Sequence, residues 1–183
     1  MVAAEKHYRR DLGGRLGASS DILDDSISHL ASMPDYRPDV AAWARVGLDV
    51  CKPLPAGFTL SIPTWFYGHE PSGVFATHIA KYFSNALRED ALLSHCLGGL
   101  VVLPGAAGTV QEIFQCATRA YYTPDCETPT PIVLLGRDHW TRRLPAWDLL
   151  QALGDGRAMG SHVHLVDSPA DAVQILTSVP ISR

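Results

Sequence analysis

The chain has 183 residues, 46% of them hydrophobic, and a formal net charge of −4 at pH 7. That is enough chain for one domain with a substantial core, and its mild acidity gives no electrostatic reason to bind nucleic acid. No run of 18 apolar residues occurs, which excludes a helical membrane span, and the charged opening MVAAEKHYRRDLGG has no apolar segment of the kind a signal peptide needs.

The first fifty or so residues are expected to be helical. Ser19-Ser20-Asp21 offers an N-cap ahead of Ile22, Leu23, Ile27 and Leu30, which share one helical face. Two prolines in MPDYRPD end that helix, and Asp39 caps a second one through Val40, Trp43, Ala44 and Val50. KPLPAG is a connection and FTLSIP a short strand candidate. Phe75, Ile79, Tyr82, Phe83, Ala86 and Leu87 recur at helical spacing, which predicts a helix over 73–94.

LGGLVVLP is a continuous apolar run, as a strand buried on both faces requires. TVQEIFQCATRAYY is the next helix, and TPIVLLG a second buried strand. LPAWDLLQALGDG is a helix that stops at glycine, and SHVHLVD is a strand. SPADAVQILTSV opens with Ser168 as N-cap and Pro169 at the first helical position. Strand then helix, four times over, predicts an α/β fold: a parallel sheet with helices on its faces. The expected organisation is a single domain over 1–183, with a helical part over 1–52 and an α/β part over 58–180.

The four cysteines, Cys51, Cys96, Cys116 and Cys126, have no CxxC spacing and are expected to be reduced thiols of a cytoplasmic protein. His162 and His164 would point to one side of a strand, but with no third ligand nearby in sequence no metal site is expected.

The chemistry is expected at VVLPGAAGTVQEIFQ, residues 101–115. In a parallel α/β sheet, ligands bind beyond the carboxyl ends of the strands, and Pro104 to Gly108 lies at such an end. Gly105, Ala106, Ala107 and Gly108 put little side chain in the way of a ligand, so several backbone N–H groups can converge on one point. A helix beginning near Gly108 or Thr109 adds its positive dipole end, and Thr109 a hydroxyl, which together suit a phosphate; a plain tight turn is the alternative. Glu112 is expected on the helix's first turn. There it could complement the dipole, stabilise positive charge on an anomeric carbon, or take a proton from an attacking water.

PGAAGTVQE resembles the PGGxGTxxE signature of the LOG family, Rossmann-like phosphoribohydrolases that activate cytokinins and were long labelled lysine decarboxylases. Pro104, Gly105, Gly108, Thr109 and Glu112 match, and Ala106 replaces the second glycine. The family's other signature is an Arg on the preceding helix, for which Arg88 in SNALREDAL is the candidate, with Glu89 where the family has Lys. A solvated Arg88 paired with Glu89 or Asp90 is the alternative. The resemblance covers about residues 58–180, and Trp65, Phe66 and Tyr67 fall where the family lines its nucleotide pocket. They could stack on a base or simply pack as a hydrophobic loop, while His69 and Glu70 could reach substrate.

The resemblance implies a Rossmann-like fold lacking the family's first strands, because no GGGxxGxM-type loop is present and LGGRLG at 12–17 is not preceded by an apolar strand. A late start of a longer protein, N-terminal helices covering the exposed sheet, or completion by oligomerising would each account for that. The implied activity is hydrolysis of the N-glycosidic bond of a nucleoside 5′-monophosphate (AMP-like) to free base and ribose 5-phosphate. Glu112 and Arg88 would be catalytic, Gly105, Ala106, Ala107, Gly108 and Thr109 would bind phosphate, and no metal or other cofactor would be needed. A homodimer is implied as well. The alternative is a nucleotide or phosphorylated-cofactor binding protein without turnover, or an inactive truncated member. Decarboxylation would need a pyridoxal-phosphate lysine, and Lys6, Lys52 and Lys81 offer no persuasive setting.

Overall fold

The computed structural model describes residues 20–52, 58–66, 73–124 and 126–178. The chain divides into two compact units, with the boundary between Asp90 and Ala91. Tyr67, His69, Glu70, Ser19 and the LGGRLG string lie outside the described residues.

In the first unit, helix α1 (Ser20–Ala31) contacts helix α2 (Val40–Cys51). Asp39 caps α2 as its sequence position predicts: its backbone is extended and its Oδ1 accepts from Ala42 N at 2.9 Å. FTLSIP forms only a two-residue strand, β1 (Leu60–Ser61). It pairs in parallel with β2 (His78–Ile79), and Thr64 bridges to Tyr82.

The helix expected over 73–94 is therefore wrong for its first part; helix α3 runs only from Asn85 to His95. Residues 73–84 are taken by pairing with the earlier strand. Thr77 Oγ1 donates to Thr59 O at 3.0 Å and accepts from Thr59 N at 2.9 Å, and Tyr82 N donates to Pro63 O at 3.1 Å. The turn before β2 also packs on α2, where a Cβ on Gly47 would lie 3.2 Å from Val74 Cβ and closer still to Val74 Cγ2. With the backbone committed to these bonds, Phe75, Ile79 and Phe83 do not form a buried stripe and stay exposed.

The second unit is built on a parallel sheet of strands β3 (Leu100–Val102), β4 (Ile132–Leu135) and β5 (Val163–Val166), in that spatial order. Leu100 pairs with Ile132, which pairs with Val163. The middle strand is the most buried, with Ile132, Val133 and Leu134 wholly buried. Helix α4 (Ala107–Tyr121) packs on β4, α5 (Ala146–Gly154) on β5, and α6 (Pro169–Ser178) on both. Ser168 Oγ accepts from Asp171 N at 3.1 Å, so the cap and the following proline act as expected.

A π-helical turn, His139–Arg143, and a 3₁₀ turn, Ala158–His162, carry no sequence signal of the kind used above. His162 thus closes a turn instead of sharing a strand face with His164. These mixed helices and strands with short parallel sheets are what an α/β reading requires. Among the described residues no helix is long and apolar enough to cross a membrane.

Candidate functional site

Because β3, β4 and β5 are parallel and in register, their carboxyl ends share one edge. The chain leaves that edge at Leu103, Gly136 and Asp167. Gly136 has a φ of +98° and donates its N–H to Val166 O at 2.8 Å. A Cβ there would come 3.2 Å from Pro104 Cγ, so the segment after β4 turns closely against the segment after β3.

Pro104 to Thr109 forms the expected turn, and Ala106 and Ala107 are exposed. Helix α4 begins at Ala107, earlier than expected. Ala106 is its N-cap with φ −123° and no side-chain cap, so alanine is accommodated where the LOG signature has glycine. The N–H groups of Ala107, Gly108 and Thr109 have no intrahelical acceptor. Gly105 is needed for a different reason. A Cβ there would lie 2.7 Å from Thr109 Cβ and nearer still to Thr109 Oγ1. We expect Gly105→Ala to lower stability by about 1–3 kcal/mol in urea unfolding. Thr109→Ala should rescue it only in part, since the Thr109 Cβ itself is in the way.

The early start also corrects the place of Glu112. It is the sixth residue of α4, on the second turn, beyond the reach of a simple dipole effect. It is 5% exposed, on a helix whose Ile113, Cys116 and Ala117 are buried as well. Its charge is felt by the neighbouring thiol. Burial pushes Cys96 up to about 11, with Arg119 opposing and Glu112 adding to the rise. Burial likewise pushes Cys116 up to about 11, so neither thiol is a nucleophile near neutral pH.

His139 is a residue that the sequence did not single out. Its Nε2 lies 3.0 Å from Gly105 O, which joins the segment after β4 to the small-residue turn. No periodicity or spacing marks it, because the contact spans 34 residues of sequence.

Arg88 belongs to the other unit. Its side chain is 12% exposed and so is not solvated, but it does pair with Glu89 as the alternative reading has it. Arg88 Nε donates to Asn85 Oδ1 at 3.1 Å and its Nη2 lies 3.4 Å from Glu89 Oε1, which also accepts from Asn85 Nδ2 at 2.6 Å. Glu89 is wholly buried, which nothing in its sequence setting signals. Trp65 and Phe66 are exposed; the Trp65 ring stacks with Phe83, with centroids 6.4 Å apart, and the Lys81 ammonium lies 3.6 Å above it.

Among the described residues no group of three or more His, Cys, Asp or Glu side chains could hold a metal ion. No protein-family model matches the chain, and no curated protein matches it either.

Proposed function

We propose that the chain is a Rossmann-like enzyme of the LOG kind, hydrolysing the N-glycosidic bond of a nucleoside 5′-monophosphate. The observation that carries this is Glu112. A carboxylate only 5% exposed stands on the second turn of a helix that opens, without a side-chain cap, from a turn of small residues at the carboxyl edge of a parallel sheet. In this reading the N–H groups of Ala107, Gly108 and Thr109, with the Thr109 hydroxyl, hold the phosphate. Glu112 then stabilises the positive charge that develops on C1′ and orients a water. The water oxygen bonds to C1′ as the C1′–N bond breaks, the bonding pair leaves with the base, and the water's proton passes through the carboxylate to the base.

The resemblance assigns Arg88 to the ribose or phosphate, and it also supplies the helices on both sheet faces, the homodimer and the cytoplasmic setting. The test is release of free base from AMP, GMP, CMP and UMP, each compared with its nucleoside. Release from at least one 5′-monophosphate should exceed release from its nucleoside by about a hundredfold or more, the worth of a well-held phosphate. Binding of AMP by the folded protein with no base released would instead make the chain a nucleotide-binding module.

A further inference from the structure

We infer that the cavity where helix α4 ends against the turn before β5 binds a free α-amino acid, independently of the phosphoribohydrolase reading. Helix α4 starts at the carboxyl edge of the sheet and packs on β4 and on the 3₁₀ turn that leads into β5. Its last residue, Tyr121, therefore lies at the other end of the helix from the small-residue turn, about 20 Å away by the helical rise. A cavity of about 380 Å³ opens there, a size that suits a small molecule. Its wall includes Ala120, Tyr121, Asp155, Arg157, Ala158 and Met159.

The local sequence puts two opposite charges into that wall and keeps them apart. Gly154 ends α5 and lies against Gly160, where an added Cβ would come 2.7 Å from Gly160 Cα. The chain between them has to turn tightly, and Gly156 supplies a φ of +66°. Asp155 precedes that residue and Arg157 follows it. The Arg157 guanidinium carbon lies 3.7 Å from the centre of the Tyr121 ring, which holds the group in place and leaves its N–H edge unused. Among the described residues, neither the Asp155 nor the Arg157 side chain has an ion pair or hydrogen bond, with each other or with any other group. A planar guanidinium suits a carboxylate, with two N–H groups to two oxygens. A phosphate dianion would meet repulsion from Asp155 and from the C-terminal end of α4, where the carbonyls carry the negative end of the helix dipole. Those same two features attract an ammonium. A carboxylate and an ammonium on one carbon are the head of an α-amino acid. Ala120, Ala158 and the wholly buried Met159 add apolar surface, and no further charged side chain lines the cavity among the described residues, so the ligand's own side chain is uncharged.

The experiment is calorimetric titration of the whole chain with L-alanine, L-leucine, L-methionine and L-phenylalanine. Wild type is compared with Arg157→Ala, Arg157→Lys and Asp155→Asn, all at exposed side chains whose replacement should leave the fold intact. At least one of these amino acids should bind the wild type. Arg157→Ala should weaken that binding about tenfold or more, and Arg157→Lys should restore little of it, because an ammonium cannot offer the fork. Asp155→Asn should weaken it as well. The deamino acid and the decarboxylated amine of the tightest binder should each bind about tenfold more weakly than the parent. Absence of binding by the wild type, unchanged affinity in Arg157→Ala or Asp155→Asn, or a deamino acid that binds as tightly as its parent would overturn the proposal. Base release from nucleotides is a separate readout, so failure of the enzymatic reading leaves these outcomes distinguishable.

Discussion

Glu112→Gln is expected to reduce base release by about a hundred- to ten-thousandfold, the range by which a positioned acid–base group contributes. Burying a carboxylate is costly, so one held at 5% exposure is kept there with partners that offset the cost. Glu112 stands too far along α4 to be repaid by the helix dipole, whose effect fades within the first turn. The amide is nearly isosteric, so packing against Ile113 and Cys116 should survive. It cannot take a proton or carry the negative charge that an oxocarbenium-like centre needs. Activity and stability should therefore separate: kcat for the best 5′-monophosphate collapses, while the urea midpoint moves by no more than about 1–2 kcal/mol equivalent. Retained base release in a folded Glu112→Gln would remove Glu112 from the chemistry. A loss of activity that tracks unfolding would make it a structural carboxylate.

What could be read from the sequence depended on how local each signal was. Asp39 and Ser168 cap their helices through a bond to the residue three further on, so both were legible. The runs that became β3 and β4 were legible because a strand buried on both faces has to be apolar throughout, whereas β5 carries His164 and alternates buried with half-buried residues. Residues 73–84 were not legible. The spacing of Phe75, Ile79 and Phe83 fits a helix, and bonds such as those from Thr77 and Tyr82 back to Thr59 and Pro63 decide otherwise. Those bonds join residues far apart in sequence, and no local periodicity encodes them.

The candidate site divides along the same line. Its small-residue turn and Glu112 lie in one short motif and could be read directly. Helix α4 opens at Ala107, one residue before the expected Gly108, because Ala106 adopts the cap geometry without a positive φ. His139 could not be found from spacing at all, and neither could the burial of Glu89. Each depends on what tertiary structure brings beside it.

Trp140→Ala is expected to destabilise the second unit by about 3–5 kcal/mol, the range for removing a large aromatic side chain from a core. Trp140 is wholly buried, as are Leu150 and Met159 in the same unit, so no water lies ready to fill the space left by the indole. The indole N–H also ties Leu135 O, at the end of the central strand, to the π-helical turn at 3.0 Å. Trp140→Phe separates the two contributions. It keeps most of the ring volume and removes only the donor, so its cost should be nearer 1–3 kcal/mol, that of an acceptor left without its partner. Chemical denaturation of both variants measures the difference, and a Trp140→Ala cost below about 1 kcal/mol would mean that the site relaxes to fill the cavity.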